Sequence, residues 1–158
     1  MINSVSDELK KLNSQYVIDT WNKSLERKFV NLEGAITIAK TLMETVFKHI
    51  LDELNINYGN KADLPELYKL VADNLSLSPH QHQEQIFKQI LGSCSGVVSG
   101  LGSLRNSYGD AHGKGKKNYR PSARHAELAI NISGSMCLFI MQTYENKKSL
   151  DIEMNSSL

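Results

Sequence analysis

The chain has 158 residues, of which 41% are hydrophobic and 22% charged, and a formal net charge of +1; these values exclude wholesale disorder and indicate one globular domain. A chain of this size buries about 70% of its unfolded surface, so a core can form without disulfides or a structural metal. No apolar run approaches the roughly 18 residues of a membrane span, and the start, MINSVSDELKK, lacks the apolar region of a signal peptide, so we expect a cytoplasmic protein with no membrane partner.

Helical periodicity runs through most of the chain. The first segment, about residues 7–29, has a weak apolar pattern. The second pattern is stronger, because apolar residues recur at steps of three and four from Leu32 to Leu54. Asn31 is a candidate N-cap for this helix.

Two capping signals follow. A short helix is predicted from about Leu64 to Asn74, because Asp63 and Glu66 match the D-x-x-E form of a capping box. Ser78-Pro79-His80-Gln81 has the S-x-x-Q form, with proline at the first helical position. We expect this second box to open the next long helix.

That long helix is predicted to run to about Tyr108. Gly92, Gly96 and Gly100 recur every four residues and share a stripe, which would let another helix approach closely, either within the monomer or from a second chain. Its predicted apolar face consists of Phe87, Ile90, Leu91, Cys94, Val97, Val98, Leu101 and Leu104.

The helical pattern disappears between Gly109 and Tyr119 and resumes after Pro121 and Ser122. The last apolar face continues to Tyr144, and the following residues, 147–158, are predicted to form a frayed polar tail.

The predicted fold is therefore an all-α helical bundle of four long helices and one short helix. We expect an N-terminal helix (residues 1–29) to pack with a main domain (residues 30–146) as one unit, followed by the tail. The link between the last two long helices is long and polar, so function is expected there.

Positive charge is concentrated in and before this link. Between Arg105 and Arg124 the chain has six basic residues and one acid, Asp110, which gives this stretch a charge of +5 and leaves −4 for the remainder. Such a stretch is typical of an anion-binding site, and equally of an ordinary solvated loop.

A histidine and an arginine flank the start of this link. Arg105 and His112 are seven positions apart, and either a continuing helix or a tight turn at Gly109 would bring their side chains together. Histidine moves protons near neutral pH, and arginine forks onto phosphate oxygens. RNA carries its own nucleophile, the 2′-hydroxyl, so this pair suffices in principle for cleavage without a metal.

The sequence around this pair resembles the HEPN superfamily, whose motif has an arginine, a polar residue and a histidine in the form R-x4-6-H. Here it reads R-NSYGDA-H, with Asn106 at the polar position. The chain is most similar to the abortive-infection C-terminal domain within that superfamily. The similarity covers about Val30 to Glu145 and includes GAITIAKTLMETVFKHILDEL, DLPELYKLVADNLSLSPHQH, LRNSYGDAHGKGKK and RPSARHAELAIN.

This resemblance implies a HEPN-type bundle that forms a symmetric homodimer, with the motifs of two protomers at one cleft. It implies a metal-independent endoribonuclease, without a cofactor, that acts as a toxin or an abortive-infection effector in phage defence. Arg105 would stabilise the charge of the phosphate, His112 would act as an acid or a base, and Asn106 would have a positioning role. Usual family substrates are tRNA or mRNA, and an antitoxin or regulatory partner would control activity.

The remaining basic residues of the link are candidate RNA contacts. The alternative for Arg120 is a solvated side chain, and for His125 a surface position. The full set of candidates is Lys114, Lys116, Lys117, Arg120, Arg124 and His125.

Other sequence features point to alternative functions. A catalytically silent HEPN dimer that binds nucleotide, RNA or a partner protein is the main alternative. GDAHGKGKK lacks the spacing and the preceding strand of a phosphate-binding P-loop. His80 and His82 lie two residues apart and would point away from each other on a helix, so no metal site is predicted.

Overall fold

The computed structural model describes residues 6–7, 10, 15–27, 31–109 and 122–157. Its defined elements in that part are helices, without a strand: α1 (Gln15–Arg27), α2 (Leu32–Glu53), α3 (Leu64–Asn74), a 3₁₀ turn (Pro79–Gln81), α4 (Gln85–Gly109) and α5 (Ala123–Ser156). The predicted all-α bundle, with four longer helices and a short one, is confirmed.

Helix α2 is the centre of the bundle. Its apolar residues follow the i, i+3, i+4, i+7 pattern closely, and nine of its side chains are buried. The helices α1, α3, α4 and α5 all pack against it. The buried side chains of α2 are Ala35, Ile36, Ala39, Leu42, Met43, Val46, Phe47, Ile50 and Leu51.

Two of the predicted helix starts have the expected caps. The Asn31 side chain accepts a hydrogen bond from the Gly34 backbone N–H at 2.8 Å. The Asp63 carboxylate accepts from the Glu66 N–H at 2.9 Å, while the Glu66 carboxylate accepts from the Asp63 N–H at 3.0 Å. These bonds satisfy donors that have no partner inside the helix.

The third capping signal opens a different element from the one predicted. The Ser78–Gln81 box is present, but it caps only the 3₁₀ turn, and α4 begins at Gln85. The Gln81 side chain accepts from the Ser78 N–H and donates to the Asp73 carbonyl, which ties the turn back to the end of α3. His82 then takes an extended backbone, and its Nε2 donates to the Ser76 carbonyl at 2.7 Å. The chain therefore leaves the helical conformation before α4 starts.

The predicted apolar face of α4 is only partly buried. Leu91, Val98 and Leu101 lie in the core, whereas Phe87 and Ile90 are 50% and 53% exposed. Leu91 is the first α4 side chain to be buried, because the two preceding turns of the helix extend past the core.

The last helix extends further than the apolar pattern. Tyr144 donates a hydrogen bond to the Glu53 carboxylate at 3.1 Å, and Lys147 donates to the Asn74 carbonyl at 2.6 Å. Beyond these contacts α5 continues to Ser156 through the segment that the sequence predicts as a frayed tail. No glycine or proline interrupts the sequence there, so the backbone bonds continue although the side chains from Ser149 are exposed. The division into residues 1–29, 30–146 and 147–158 stays a prediction.

None of the helices in the described ranges has a stretch sufficiently long and apolar to cross a bilayer.

The burial of Phe47 gives a test of this core. Its side chain is fully buried on α2 and its ring lies 5.8 Å from that of Tyr68 on α3. We expect Phe47→Ala to lower the free energy of unfolding by about 3–5 kcal/mol, because a cavity replaces the ring. Phe139→Ala is the matched control, since Phe139 is 40% exposed on α5 and should cost much less. Urea denaturation measures both, and equal losses would contradict this account of the core.

Candidate functional site

The candidate site begins at the end of α4. Arg105 and Asn106 belong to the last two turns of this helix, where the structure describes the backbone and not the side chains of residues 104–109. Position 105 follows the buried Leu101 by four residues and the buried Val98 by seven, so it shares their stripe on the helix. Position 105 therefore lies on α4, and the role predicted for Arg105 stays a prediction.

The link itself falls outside the described residues. This applies to His112, to Asp110 and to the candidate RNA contacts Lys114, Lys116, Lys117 and Arg120. The approach of the Arg105 and His112 side chains to each other stays a prediction.

The site resumes at the start of α5 with a further capping arrangement. Ser122 is the N-cap, and its backbone N–H donates to Nδ1 of His125 at 3.3 Å; the Ser122 hydroxyl lies 3.1 Å from the same nitrogen. Because a backbone N–H only donates, Nδ1 is an acceptor, and the neutral imidazole has its proton on Nε2. His125 is half-buried and holds the start of the helix, so it is more than a surface residue.

Arg124 is exposed in the same first turn. This turn contains no acidic residue, so nothing in it opposes the positive end of the helix dipole. An anion near Arg124 would therefore be stabilised by the guanidinium and by the backbone N–H groups at this helix end.

The two helices that flank the link belong to one packed body. α4 lies on α3 and α2, α5 lies on α2, and α4 and α5 also contact each other. Both helices therefore belong to the same packed core, and residues 110–121 connect them in sequence.

The other histidines have separate positions. His80 is exposed in the 3₁₀ turn, His82 is tied to the Ser76 carbonyl, and His49 is half-buried on α2. Within the described ranges no three His, Cys, Asp or Glu side chains gather as a metal site would require. Cys94 and Cys137 are free thiols, and complete burial raises the pKa of Cys137.

The structure contains a pocket between α3, the 3₁₀ turn and α4 that the sequence analysis does not predict. Its volume is about 330 Å³, and Lys69, Asp73, Ser95 and Ser99 supply polar groups to its wall. The only sequence signal for it is the pair of serines four residues apart, Ser95 and Ser99, which begins one turn after the buried Leu91 on α4.

Comparison with known proteins gives one family. The family model described as Abi_C, a HEPN-like domain, matches residues 15–144. The matched range includes α1, which the resemblance from Val30 onward leaves out, and it includes the whole R-x6-H motif. No curated protein and no solved structure matches significantly.

Substitution of His125 separates its structural role from RNA contact. His125→Ala should destabilise the fold by about 1 kcal/mol, because the Ser122 N–H loses its partner. His125→Gln should recover most of that loss, since glutamine suits this position of a capping box and cannot carry a positive charge. Thermal unfolding gives the stability, and RNA affinity is measured on the same variants. Stability unchanged in His125→Ala would contradict the capping role, and affinity lost equally in both variants would assign the imidazole to RNA.

Proposed function

Because the chain belongs to the Abi_C family of HEPN-like domains, we propose that it is a metal-independent endoribonuclease that cleaves RNA through the 2′-hydroxyl. The observation that carries the proposal is the R-x6-H motif within the matched range, whose first residue lies on the last turns of α4 and which is part of the stretch of charge +5. We propose further that the enzyme acts in the cytoplasm as a toxin or abortive-infection effector on tRNA or mRNA, under the control of an antitoxin or regulatory partner.

In the proposed reaction the phosphoryl group moves from the 5′-oxygen of one nucleotide to the 2′-oxygen of the preceding one. The 2′-oxygen attacks the adjacent phosphorus, the bond to the 5′-oxygen breaks, and the products are a 2′,3′-cyclic phosphate and a 5′-hydroxyl. One proton leaves the 2′-hydroxyl and one arrives at the 5′-oxygen, so no water or oxidant is consumed. His112 moves a proton at one of these two oxygens, Arg105 stabilises the charge on the phosphate, and Asn106 positions the phosphate.

The other basic residues bind the RNA backbone in this proposal. Lys114, Lys116, Lys117 and Arg120 lie in the link, and Arg124 stands at the adjoining start of α5. Ionic contacts of this kind hold RNA without regard to sequence and weaken as salt rises. The exposed guanidinium of Arg124, at a helix start without acids, supports this assignment.

We also propose a symmetric homodimer. Gly96 and Gly100 are exposed, and a Cβ atom added to either would meet no described atom within 4 Å. The glycine stripe therefore does not serve close packing between helices of the described monomer. A second copy of the chain on this stripe would put two +5 segments at one cleft, since a two-fold interface uses the same patch twice.

The alternative is a catalytically silent HEPN dimer that binds nucleotide, RNA or a partner protein. The observation that favours it is the exposed apolar surface on the first turns of α4, where Ile86 is 70% exposed and Phe87 and Ile90 are about half exposed. Exposed apolar patches are typical of protein-binding surfaces.

Activity of site variants separates the two functions. We expect His112→Ala to lower RNA cleavage by about 10²–10⁴-fold, because the proton carrier is removed. Arg105→Lys should also impair cleavage strongly, since lysine retains the charge but not the bidentate fork. The wild-type rate should be unchanged in EDTA. The assay follows cleavage of a labelled RNA by purified protein.

His49→Ala is the control, because no step of the reaction uses this half-buried histidine of α2. Circular dichroism confirms that each variant is folded. Full cleavage by folded His112→Ala, or cleavage that disappears in EDTA, would contradict the mechanism. Absence of cleavage by the wild-type protein, with RNA still bound, would favour the silent alternative.

The dimer is tested by filling the glycine stripe. We expect Gly96→Leu to increase helix stability, by about 1 kcal/mol at most, because leucine is the better helix former and nothing in the described monomer obstructs it. The same side chain should separate the two copies. Light scattering should give about twice 17.7 kDa for the wild type and 17.7 kDa for the variant. A folded variant that keeps the wild-type mass would place the interface elsewhere.

A further inference from the structure

The pocket between α3, the 3₁₀ turn and α4 has the size of a ligand site. Its volume of about 330 Å³ lies at the lower end of the range for small-molecule pockets. Pro65 of α3 and Pro79 of the 3₁₀ turn give it apolar surface, and Ser95 and Ser99 line it from α4. An apolar wall with a few polar groups is typical of sites that bind organic ligands.

The Tyr68 hydroxyl lies behind the wall of this pocket. The Tyr68 side chain is 3% exposed, and the group nearest to its hydroxyl in the interior is the Cys94 thiol. Burial, with a further contribution from this thiol, raises the pKa of Tyr68 to about 12, so the hydroxyl keeps its proton at neutral pH. A ligand in the pocket would therefore be bound by the other lining groups.

Charges of both signs line the same pocket. Lys69 is exposed and forms no ion pair within the described residues. Asp73 lies one turn further along α3, and the Ser78 hydroxyl donates to one of its oxygens. An ammonium group binds phosphate, and a carboxylate accepts from the hydroxyls of a ribose or from the N–H groups of a base. A ligand with an anion, hydroxyls and a flat ring matches this set of groups.

The pocket and the R-x6-H motif share α4. Ser95 and Ser99 precede Arg105 by ten and six residues, which is about 15 and 9 Å along the helix axis at a rise of 1.5 Å per residue. Position 105 is also turned by about 80° and 120° from Ser95 and Ser99 around the helix, so a strand that reaches both places has to cross the surface of α4.

We propose that this pocket binds one nucleotide of the RNA substrate, with its phosphate at Lys69, its ribose or base at Asp73 and the serine hydroxyls, and its ring against Pro79. The proposal rests on the proposed ribonuclease function. A free mononucleotide has the same chemistry, so the experiment compares it with a strand.

The experiment fills the pocket and measures binding apart from cleavage. Ser99→Leu places a bulky side chain at the pocket wall, and Ser149→Leu is the matched control at an exposed serine of α5 that does not line the pocket. The probes are a short 2′-O-methyl oligonucleotide, which lacks the attacking hydroxyl, and adenosine 5′-monophosphate. We expect Ser99→Leu to weaken oligonucleotide binding about tenfold, the loss typical of one nucleotide's contacts, and Ser149→Leu to leave it unchanged.

A second variant acts through charge alone. Lys69→Ala should weaken the same binding, while Lys61→Ala, at an exposed lysine outside the pocket, should not.

With cleavable RNA, Ser99→Leu should raise KM and change kcat little, whereas a general disturbance of the fold would lower kcat as well. Circular dichroism confirms that all variants are folded. Ser99 lies one turn from Gly96 of the proposed dimer stripe, so light scattering is also run on Ser99→Leu, and if that variant loses the dimer the Lys69→Ala result decides the pocket assignment.

The outcomes distinguish this proposal from the proposed function. Wild-type cleavage with an unchanged KM in both pocket variants would overturn the pocket assignment and leave the ribonuclease intact. Pocket-dependent binding of the oligonucleotide without cleavage would support the pocket and reject the ribonuclease. Pocket-dependent binding of adenosine 5′-monophosphate alone, with oligonucleotide binding unaffected, would overturn the assignment to the substrate.

Discussion

Nine side chains of α2, from Ala35 to Leu51, are buried, and the other four helices each cover part of that surface. Removing this much apolar surface from water is the main favourable contribution to folding, and it requires helices on several sides of α2. The same requirement brings α4 and α5 onto one body, although residues 110–121 separate them in sequence. The candidate site therefore depends on the core, because its two anchoring helices pack on α2 and α3 and also contact each other.

Local signals in the sequence predict the helices well where one residue's chemistry decides the backbone. Asn31, Asp63 and Glu66 satisfy helix-end donors directly, so their pattern alone locates the starts of α2 and α3. The Ser78–Gln81 box has the same pattern but opens only a 3₁₀ turn. Its bonds lead back to α3 and not forward along the chain, and such a tertiary contact does not appear in a local pattern.

Periodicity identifies a helix face but not what covers it, and α4 demonstrates the difference. Leu91, Val98 and Leu101 are buried as the pattern predicts, whereas Phe87 lies on the same face and is half exposed because the core ends before it. The candidate site depends on a different kind of signal. Arg105 and His112 are identified by the family motif, while the pocket near Tyr68 combines residues from three elements and leaves almost no trace in sequence.

The central claim is that the RNA 2′-hydroxyl is the nucleophile, and the chemical ends of the products test it most directly. The measurement is mass spectrometry of the fragments from a defined RNA, beside the same strand with a single 2′-deoxy residue at the cleaved position. The account predicts a 2′,3′-cyclic phosphate and a 5′-hydroxyl from the RNA, and no cleavage at the deoxy position. Fragments with a 5′-phosphate, or cleavage at the deoxy residue, would contradict it.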